Sequence, residues 1–482
     1  MADMLSLDAT GQLAALEARR IGAEELLDLA LRRHAEVKGP VNAVVATDVE
    51  RARQRARAAD DLRARGGQGG LLAGLPMTVK DTFDVEGMPA SSGLDALLHR
   101  KASDAVSVAA IRAAGAVVWG KTNTPVMAGD WQTYNALYGT TNNPWDLERT
   151  TGGSSGGSAA ALATGVTALE LGSDIGGSLR VPASFCGVFS HKPTWGMVSQ
   201  IGHVPPAPGT LAERDLNVVG PMARSARDLR LLLSVIENGP LAPKAQPADL
   251  RGLKVGLWLD EPSFWLDDEV RACIETFAAE LAAQGAEIRP MKRFVDAEAL
   301  IGAYQVLLAS VLAGDMPARA QAGLRRMGGL ARLALKFGAA RDGWAGTAAA
   351  YTATHAEWIA ADEVRARAGA QMRRTFGDVE VILAPITPVV AFPHDHRPFQ
   401  RRSLMASDGR RFPYMAMMRW IALATACGLP ATAVPAGHAA SGLPVGVQII
   451  GPRGADSRTL AVAEAIDERL GGFTRPPPLT GA

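Results

Sequence analysis

The chain reads as helices alternating with short apolar strands, and three stretches carry that reading. Residues 104–113 look helical, and 115–119 look like a strand directly after them. SAAALATG (158–165) is a helix candidate that stops at a glycine, and TALEL (167–171) is a short apolar run leading into GSDIGGS. The uncharged stretch Trp420 to Pro452 is broken by Gly428-Leu429-Pro430, Pro435-Ala436-Gly437 and Gly442-Leu443-Pro444. Such breaks suit buried strands and turns rather than a membrane span.

From the N-terminus, Leu13, Leu16, Leu26, Leu27, Ala30 and Leu31 fall at helical spacing within residues 10–36, predicting one or two amphipathic helices. RARQRARAADDLRAR, from residue 51, is charged on most faces and interrupted by acids, which predicts a solvated helix rather than a nucleic-acid arm. LLAGLPMTVKD (71–81) is a Gly-Pro turn and a short apolar strand ending on Lys80. A lysine there is either drawn inward or snorkels to water, and the pattern alone does not choose.

Bulk properties exclude several classes. Fifty Lys and Arg face 49 Asp and Glu across 482 residues, for a net charge of +1. That balance argues against nucleic-acid or membrane-surface binding by bulk electrostatics. Cys186, Cys273 and Cys427 lie far apart without metal-ligand spacing, which fits a reduced, cytoplasmic protein that holds no metal. MADMLSLDAT has neither a basic nor an apolar leader region, so no signal peptide is expected.

The stretch Gly152 to Thr194 organises the rest. Its two Gly-Ser clusters, Gly152–Ser158 and Gly176–Ser178, flank the SAAALATG helix. Glycine lets backbone N–H groups approach a ligand closely, so two such loops concentrate serine hydroxyls and free donors. Two familiar patterns nearby fail on context. Gly115–Thr122 satisfies G-x-x-x-x-G-K-[ST], but a phosphate loop needs a strand before the first glycine and a helix opening at the lysine. Here a helix precedes it, the intervening residues read as a strand, and Pro125 follows. G-x-S-x-G occurs centred on Ser154 and on Ser155, but a nucleophile elbow needs a buried strand upstream, and NNPWDLERTT is polar. None of the eight histidines has an evident partner.

Lys80, GGSSGGS at Gly152–Ser158, and GSDIGGSLR at Gly172–Arg180 followed by PASFCGVFSHKPT together resemble the amidase signature family of hydrolases. The elements stand in family order, with Ser154 and Ser178 24 positions apart. LPMTVKD, GKTNTP, TTNNPWD, GPMARSARDL, VILAPITP, ACGLPATAVPAG and GLPVGVQIIGP extend the likeness over roughly 70–260 and 375–470. The resemblance implies an α/β fold: a single domain across 1–482, an α/β/α sandwich with a large mixed twisted sheet. Residues 262–375 match loosely and are expected as a divergent helical insertion. Within it, the glycine-bearing 314–344 is expected as a mobile lid.

The resemblance also implies the chemistry. Ser178 is the nucleophile, Ser154 the relay and Lys80 the base, and the Gly153–Ser154 peptide is cis. A serine attacks a carbonyl only if a base takes its proton, and a lysine serves if burial lowers its pKa. The N–H groups of Ile175, Gly176, Gly177 and Ser178 form the oxyanion hole. Asp174 and Arg180 support this turn, a surface ion pair being the other reading. Ser155 and Ser158 are expected to cap the following helix. Ala128 and Gly129, with Met127 and Trp131, stand where the family lines its acyl pocket. Met127, Trp131, Tyr134, Met417, Met418 and Trp420 suit hydrophobic or aryl groups, core packing being the equally common role. The expected activity is amidohydrolase cleavage of C–N bonds in hydrophobic or aryl amides, with carbamates (urethanes) and esters as related substrates, through an acyl-enzyme on Ser178. The expected partner is a small-molecule amide or carbamate, with no cofactor, no nucleic acid and no membrane, for a monomer or homodimer. Family members acting on glutamine carry an acidic residue where this chain has Met418, which places a glutaminase subunit of an amidotransferase second. A nucleotide-binding protein using Gly115–Thr122 is the alternative from another class.

Overall fold

The computed structural model describes residues 4–238, 248–316, 318–339 and 343–479. Pro317 and Ala340 to Asp342, within the expected lid, lie outside the described residues. Eleven strands form one sheet: β1 (Val44–Thr47), β2 (Pro76–Lys80), β3 (Val117–Thr122), β4 (Leu169–Asp174), β5 (Phe189–Lys192), β6 (Val218–Ala223), β7 (Lys254–Asp260), β8 (Glu287–Lys292), β9 (Val381–Pro385), β10 (Ala431–His438) and β11 (Pro444–Ile450). Their spatial order is β1-β3-β2-β4-β6-β5-β10-β11-β9-β7-β8. β2 runs parallel to β3 and β4, and β7 parallel to β8 and β9, while the remaining pairs are antiparallel. This is the large mixed sheet that the resemblance implies.

The central strands are buried along their whole length, as the near-continuous apolar runs of β2, β4, β6, β9 and β11 require. Helices flank the sheet. Gly156–Ala163 and Arg180–Cys186 pack on each other and on the central strands, and Ala226–Ile236 packs with Asp456–Leu470 on β5, β6, β10 and β11. The helical reading near the N-terminus resolves into two helices, Ala9–Glu17 and Ala23–Val41, whose apolar faces close a smaller core with Trp119. RARQRARAADDLRAR lies in the helix Val49–Ala64, where Ala52 and Ala56 alone are buried.

Two expectations need correction. The strand expected at 115–119 is β3, which begins at Val117 and runs through Gly120, Lys121 and Thr122, so the stretch rejected as a phosphate loop is indeed sheet. Lys121 is buried, its Nζ bonded to the carbonyls of Phe83 at 2.6 Å and Pro89 at 2.9 Å, with Asp81 at 3.4 Å. The 262–375 segment is not wholly an insertion, because residues 287–292 form the edge strand β8 beside β7. Its remaining elements are helical, from Ala297–Gly314 through Ala318–Lys336 and Trp344–Tyr351 to His355–Asp378. Ala297–Gly314 is long and apolar enough to cross a membrane. In this fold its Leu300, Tyr304 and Leu307 are buried, and it packs on His355–Asp378 and Arg419–Ala426.

Candidate active site

β2 and β4 are parallel neighbours, with Thr78 opposite Glu170, so their C-terminal ends emerge together. β2 delivers Lys80 and β4 delivers Ser173 and Asp174. The Gly152–Ser155 loop closes over both. Lys80 is fully buried, with its Nζ 2.7 Å from Ser154 Oγ and 3.0 Å from Ser173 Oγ. Of the two readings left open for this lysine, the structure takes the inward one. Burial pushes its amine down to about 7, against the opposing charges of Asp174 and Glu170. The Gly153–Ser154 peptide is cis. Gly153 admits no side chain, since a Cβ there would meet the Asp130 carbonyl oxygen at 2.4 Å.

The turn after β4 is held from beneath by a buried ion pair. Arg180 Nε and Nη2 donate to the Asp174 carboxylate at 3.0 and 3.1 Å, and both side chains are inaccessible, so the surface-pair reading is wrong. Arg180 also donates to Gln448 Oε1, Thr425 Oγ1 and the Ile421 carbonyl, which satisfies its guanidinium in the low-dielectric interior. Burial raises the Asp174 carboxyl, but the charge and hydrogen bonds of Arg180 hold it below its ordinary value. The carboxylate then accepts from the N–H groups of Gly177 at 2.8 Å and Leu179 at 3.2 Å. Gly177 adopts φ +92°, the left-handed region that favours glycine.

This arrangement corrects the oxyanion-hole expectation at one position, because the Gly177 N–H is already engaged by Asp174. The Gly176 and Ser178 N–H groups have no acceptor among the described residues. The carbonyls of this loop are tied outward: Trp131 Nε1 donates to Gly176 at 2.7 Å, and Tyr304 Oη to Ile175 at 2.6 Å. Ser178 lines the cavity, and no hydrogen bond joins it to Ser154 among the described residues.

Ser155 does not cap the helix. At φ −91°, ψ 38° it lacks the extended backbone a capping side chain needs, and no cap bond forms. Its N–H instead donates to the Ser178 carbonyl at 3.2 Å and its hydroxyl to the Ser173 carbonyl at 3.5 Å, bracing the two loops. Ser158 is bonded to Thr122 Oγ1.

The cavity above Ser178 measures about 590 Å³. Ala128, Gly129, Trp131, Ile175, Leu308 and Met418 are among its lining residues. Met127, Tyr134, Met417 and Trp420 are not. Tyr134 Oη accepts from Arg402, and Met417 and Trp420 are buried, Trp420 in the aromatic core beside Trp258 and Phe264. Among the described residues, the charged ones that reach the cavity are Asp130 and Arg402, and they are paired with each other at 2.5 Å. The expected lid contributes Leu324 and Trp344, whereas Leu330 is 67% exposed.

Sequence reasoning missed Ser173, Glu170 and His203. Burial pushes the Glu170 carboxyl up to about 8, while Thr78 and Thr122 donate to it behind Lys80. His203 stands 2.8 Å from Ser173 Oγ through Nε2. Among the described residues no three His, Cys, Asp or Glu side chains converge as a metal site requires.

Ser178 in the cavity wall, with Ser154 held on a buried lysine of lowered pKa, makes a hydrolase-type site on an α/β sheet. The Amidase family model matches residues 25–460, and the chain belongs to that family of amidohydrolases. It is 34% identical to a glutamyl-tRNA(Gln) amidotransferase subunit of Roseiflexus sp. (strain RS-1), over 96% of each chain. A crystal structure described as an amidase is similar at a TM-score of 0.78 and 30% identity, covering 96% of this chain and 100% of that one. A structure of 6-aminohexanoate cyclic dimer hydrolase complexed with substrate is similar at 0.79 and 27%, covering 98% and 99%.

Proposed function

We propose that the chain is a serine amidohydrolase in which Ser178 forms an acyl-enzyme with amides bearing hydrophobic or aryl groups. Neutral Lys80 takes the Ser154 proton, Ser154 takes that of Ser178, and Ser178 Oγ attacks the carbonyl carbon. The negative oxygen is met by the N–H groups of Gly176 and Ser178, with Ile175 next in the loop. Ser154 returns its proton to the leaving nitrogen as the C–N bond breaks, and water then releases the acid by the reverse relay. The Ser154–Ser178 contact closes when substrate binds, since catalytic hydrogen bonds are often long before that. Carbamates and esters pass through a similar intermediate and belong to the substrate class. The site residues invoke no cofactor.

The observation that carries this reading is the apolar cavity wall over Ser178, with Met418 upon it and Asp130 and Arg402 spent on each other. A free amino acid such as glutamine needs unspent charges for its ammonium and carboxylate. The second reading, a glutaminase that works only with partner subunits, is favoured by the amidotransferase relatives, which match over 96% of the chain. A panel of hydrophobic anilides, aryl carbamates, aryl esters and glutamine, assayed with the isolated chain, separates the two. Turnover of the anilides by the chain alone is expected. Turnover confined to glutamine and dependent on added subunits would replace the first reading with the second.

A further inference from the structure

Among the described residues the Lys80 amine has two hydrogen-bond neighbours, Ser154 Oγ and Ser173 Oγ, and its use as a base depends on which of them meets its lone pair. A neutral amine has two N–H groups and one lone pair. To accept the Ser154 proton, the lone pair must face Ser154, and an N–H must then face Ser173. Ser173 can receive that N–H only if its own hydroxyl proton points elsewhere. His203 supplies the place. Its Nδ1 lies 2.5 Å from the Pro205 carbonyl oxygen, which can only accept, so Nδ1 carries the ring proton. Nε2 is therefore bare and faces Ser173 Oγ at 2.8 Å.

We propose that His203, acting through Ser173, is the positioning residue that sets the direction of this hydrogen-bond chain and so aims the Lys80 lone pair at Ser154. This rests on the reading of Lys80 as the base. Every donor then points one way: Ser154 to Lys80, Lys80 to Ser173, Ser173 to His203, and His203 to the Pro205 carbonyl. After Lys80 has gained a proton, Ser173 still accepts from it, so no hydroxyl has to turn between the two halves of the cycle. His203 is fixed for this task. It is 4% exposed, its ring meets Phe83 edge-on at 5.0 Å, and its backbone bridges to Phe83. Burial and the nearby Lys80 charge push its pKa down to about 3, which keeps Nε2 an acceptor across the working range. The other titratable groups facing the amine are Asp174 and Glu170, both on β4, and neither bonds to it.

The test compares His203→Phe, His203→Gln, Ser173→Ala and the double variant His203→Phe/Ser173→Ala with the parent, each checked for folding by thermal melting. His203→Gln keeps an acceptor toward Ser173. For His203→Phe and for Ser173→Ala, kcat should fall about 10²-fold, the scale of a misplaced catalytic group, with KM unchanged and the limb of the pH–kcat/KM profile displaced. His203→Gln should recover at least a tenth of parental kcat. The double variant should be no slower than either single one, because both cut the same chain. If His203→Phe fails to fold, Ser173→Ala and His203→Gln carry the comparison. Losses that multiply in the double variant, a kcat within twofold of parent in Ser173→Ala, or a raised KM with kcat intact would overturn the proposal. Lys80→Ala runs alongside: if it keeps turnover, the base assignment fails, whereas an inactive Lys80→Ala beside an active Ser173→Ala condemns the positioning role alone.

Discussion

Lys80 Nζ and Ser154 Oγ, 74 positions apart in the chain, lie 2.7 Å from each other in a site that excludes water from the amine. The contact joins the end of a sheet strand to the loop that opens the Gly156–Ala163 helix. Lys121, the lysine of the phosphate-loop-like stretch, ends on two backbone carbonyls and Asp81 instead. Lys80→Ala should therefore lower kcat by about 10²–10⁴-fold, the contribution of a general base. Lys121→Ala should leave kcat per folded molecule within a few-fold of parent. It should also cost about 3–5 kcal/mol of stability by stranding the buried Asp81. Steady-state kinetics with denaturant melts on both variants checks this, and equal losses of kcat would count against the assignment.

The pH dependence follows from the same amine. Its pKa is lowered from 10.5 to about 7 by burial, and only the neutral form accepts a proton. The kcat/KM should rise with pH through about 7 and level off above it. A profile already flat from pH 5 upward would contradict a lysine base.

Ser154 and Ser155 are adjacent and chemically alike, yet their environments differ. Ser154 touches the amine, and Ser155 Oγ makes one long bond to a backbone carbonyl. Ser154→Ala should lose orders of magnitude in kcat. Ser155→Ala should keep most of it and cost about 0.5–1.5 kcal/mol of stability, the worth of one hydrogen bond. Initial rates and denaturant melts on the two variants make the comparison.

The helix Ala318–Lys336 turns Leu324 to the cavity and Leu330 to solvent. Leu324→Ala should shift kcat/KM between short and long acyl groups by about 10-fold, the scale of one apolar contact. Leu330→Ala should change neither preference nor stability beyond about 0.5 kcal/mol. Competition assays on a homologous series of anilides distinguish the two positions.

The sequence made the paired serine loops legible because glycine, serine and the short helix between them are local features. The central strands were equally plain as apolar runs. What escaped depended on contacts between distant segments. Whether Lys80 turns inward depends on β4 and the Gly152–Ser155 loop covering it, and nothing in MTVKD encodes that cover. His203 meets Ser173 across 30 positions, so its surroundings in the chain gave no sign of a partner. β8, EIRPMK, is charged and holds a proline, which an edge strand tolerates and a pattern search rejects. Ser155 looked like a cap by residue type, but capping needs an extended backbone that this loop does not supply.

The central claim is that the acyl group is carried by Ser178. The direct measurement is intact-protein and peptide mass spectrometry after rapid quenching of the enzyme with an activated aryl ester, with burst kinetics recorded in parallel. The account predicts one acyl group per chain on the peptide containing Ser178, absent in Ser178→Ala and accumulating during the burst. An adduct on Ser154 or Ser155, or a burst that survives Ser178→Ala, would contradict it.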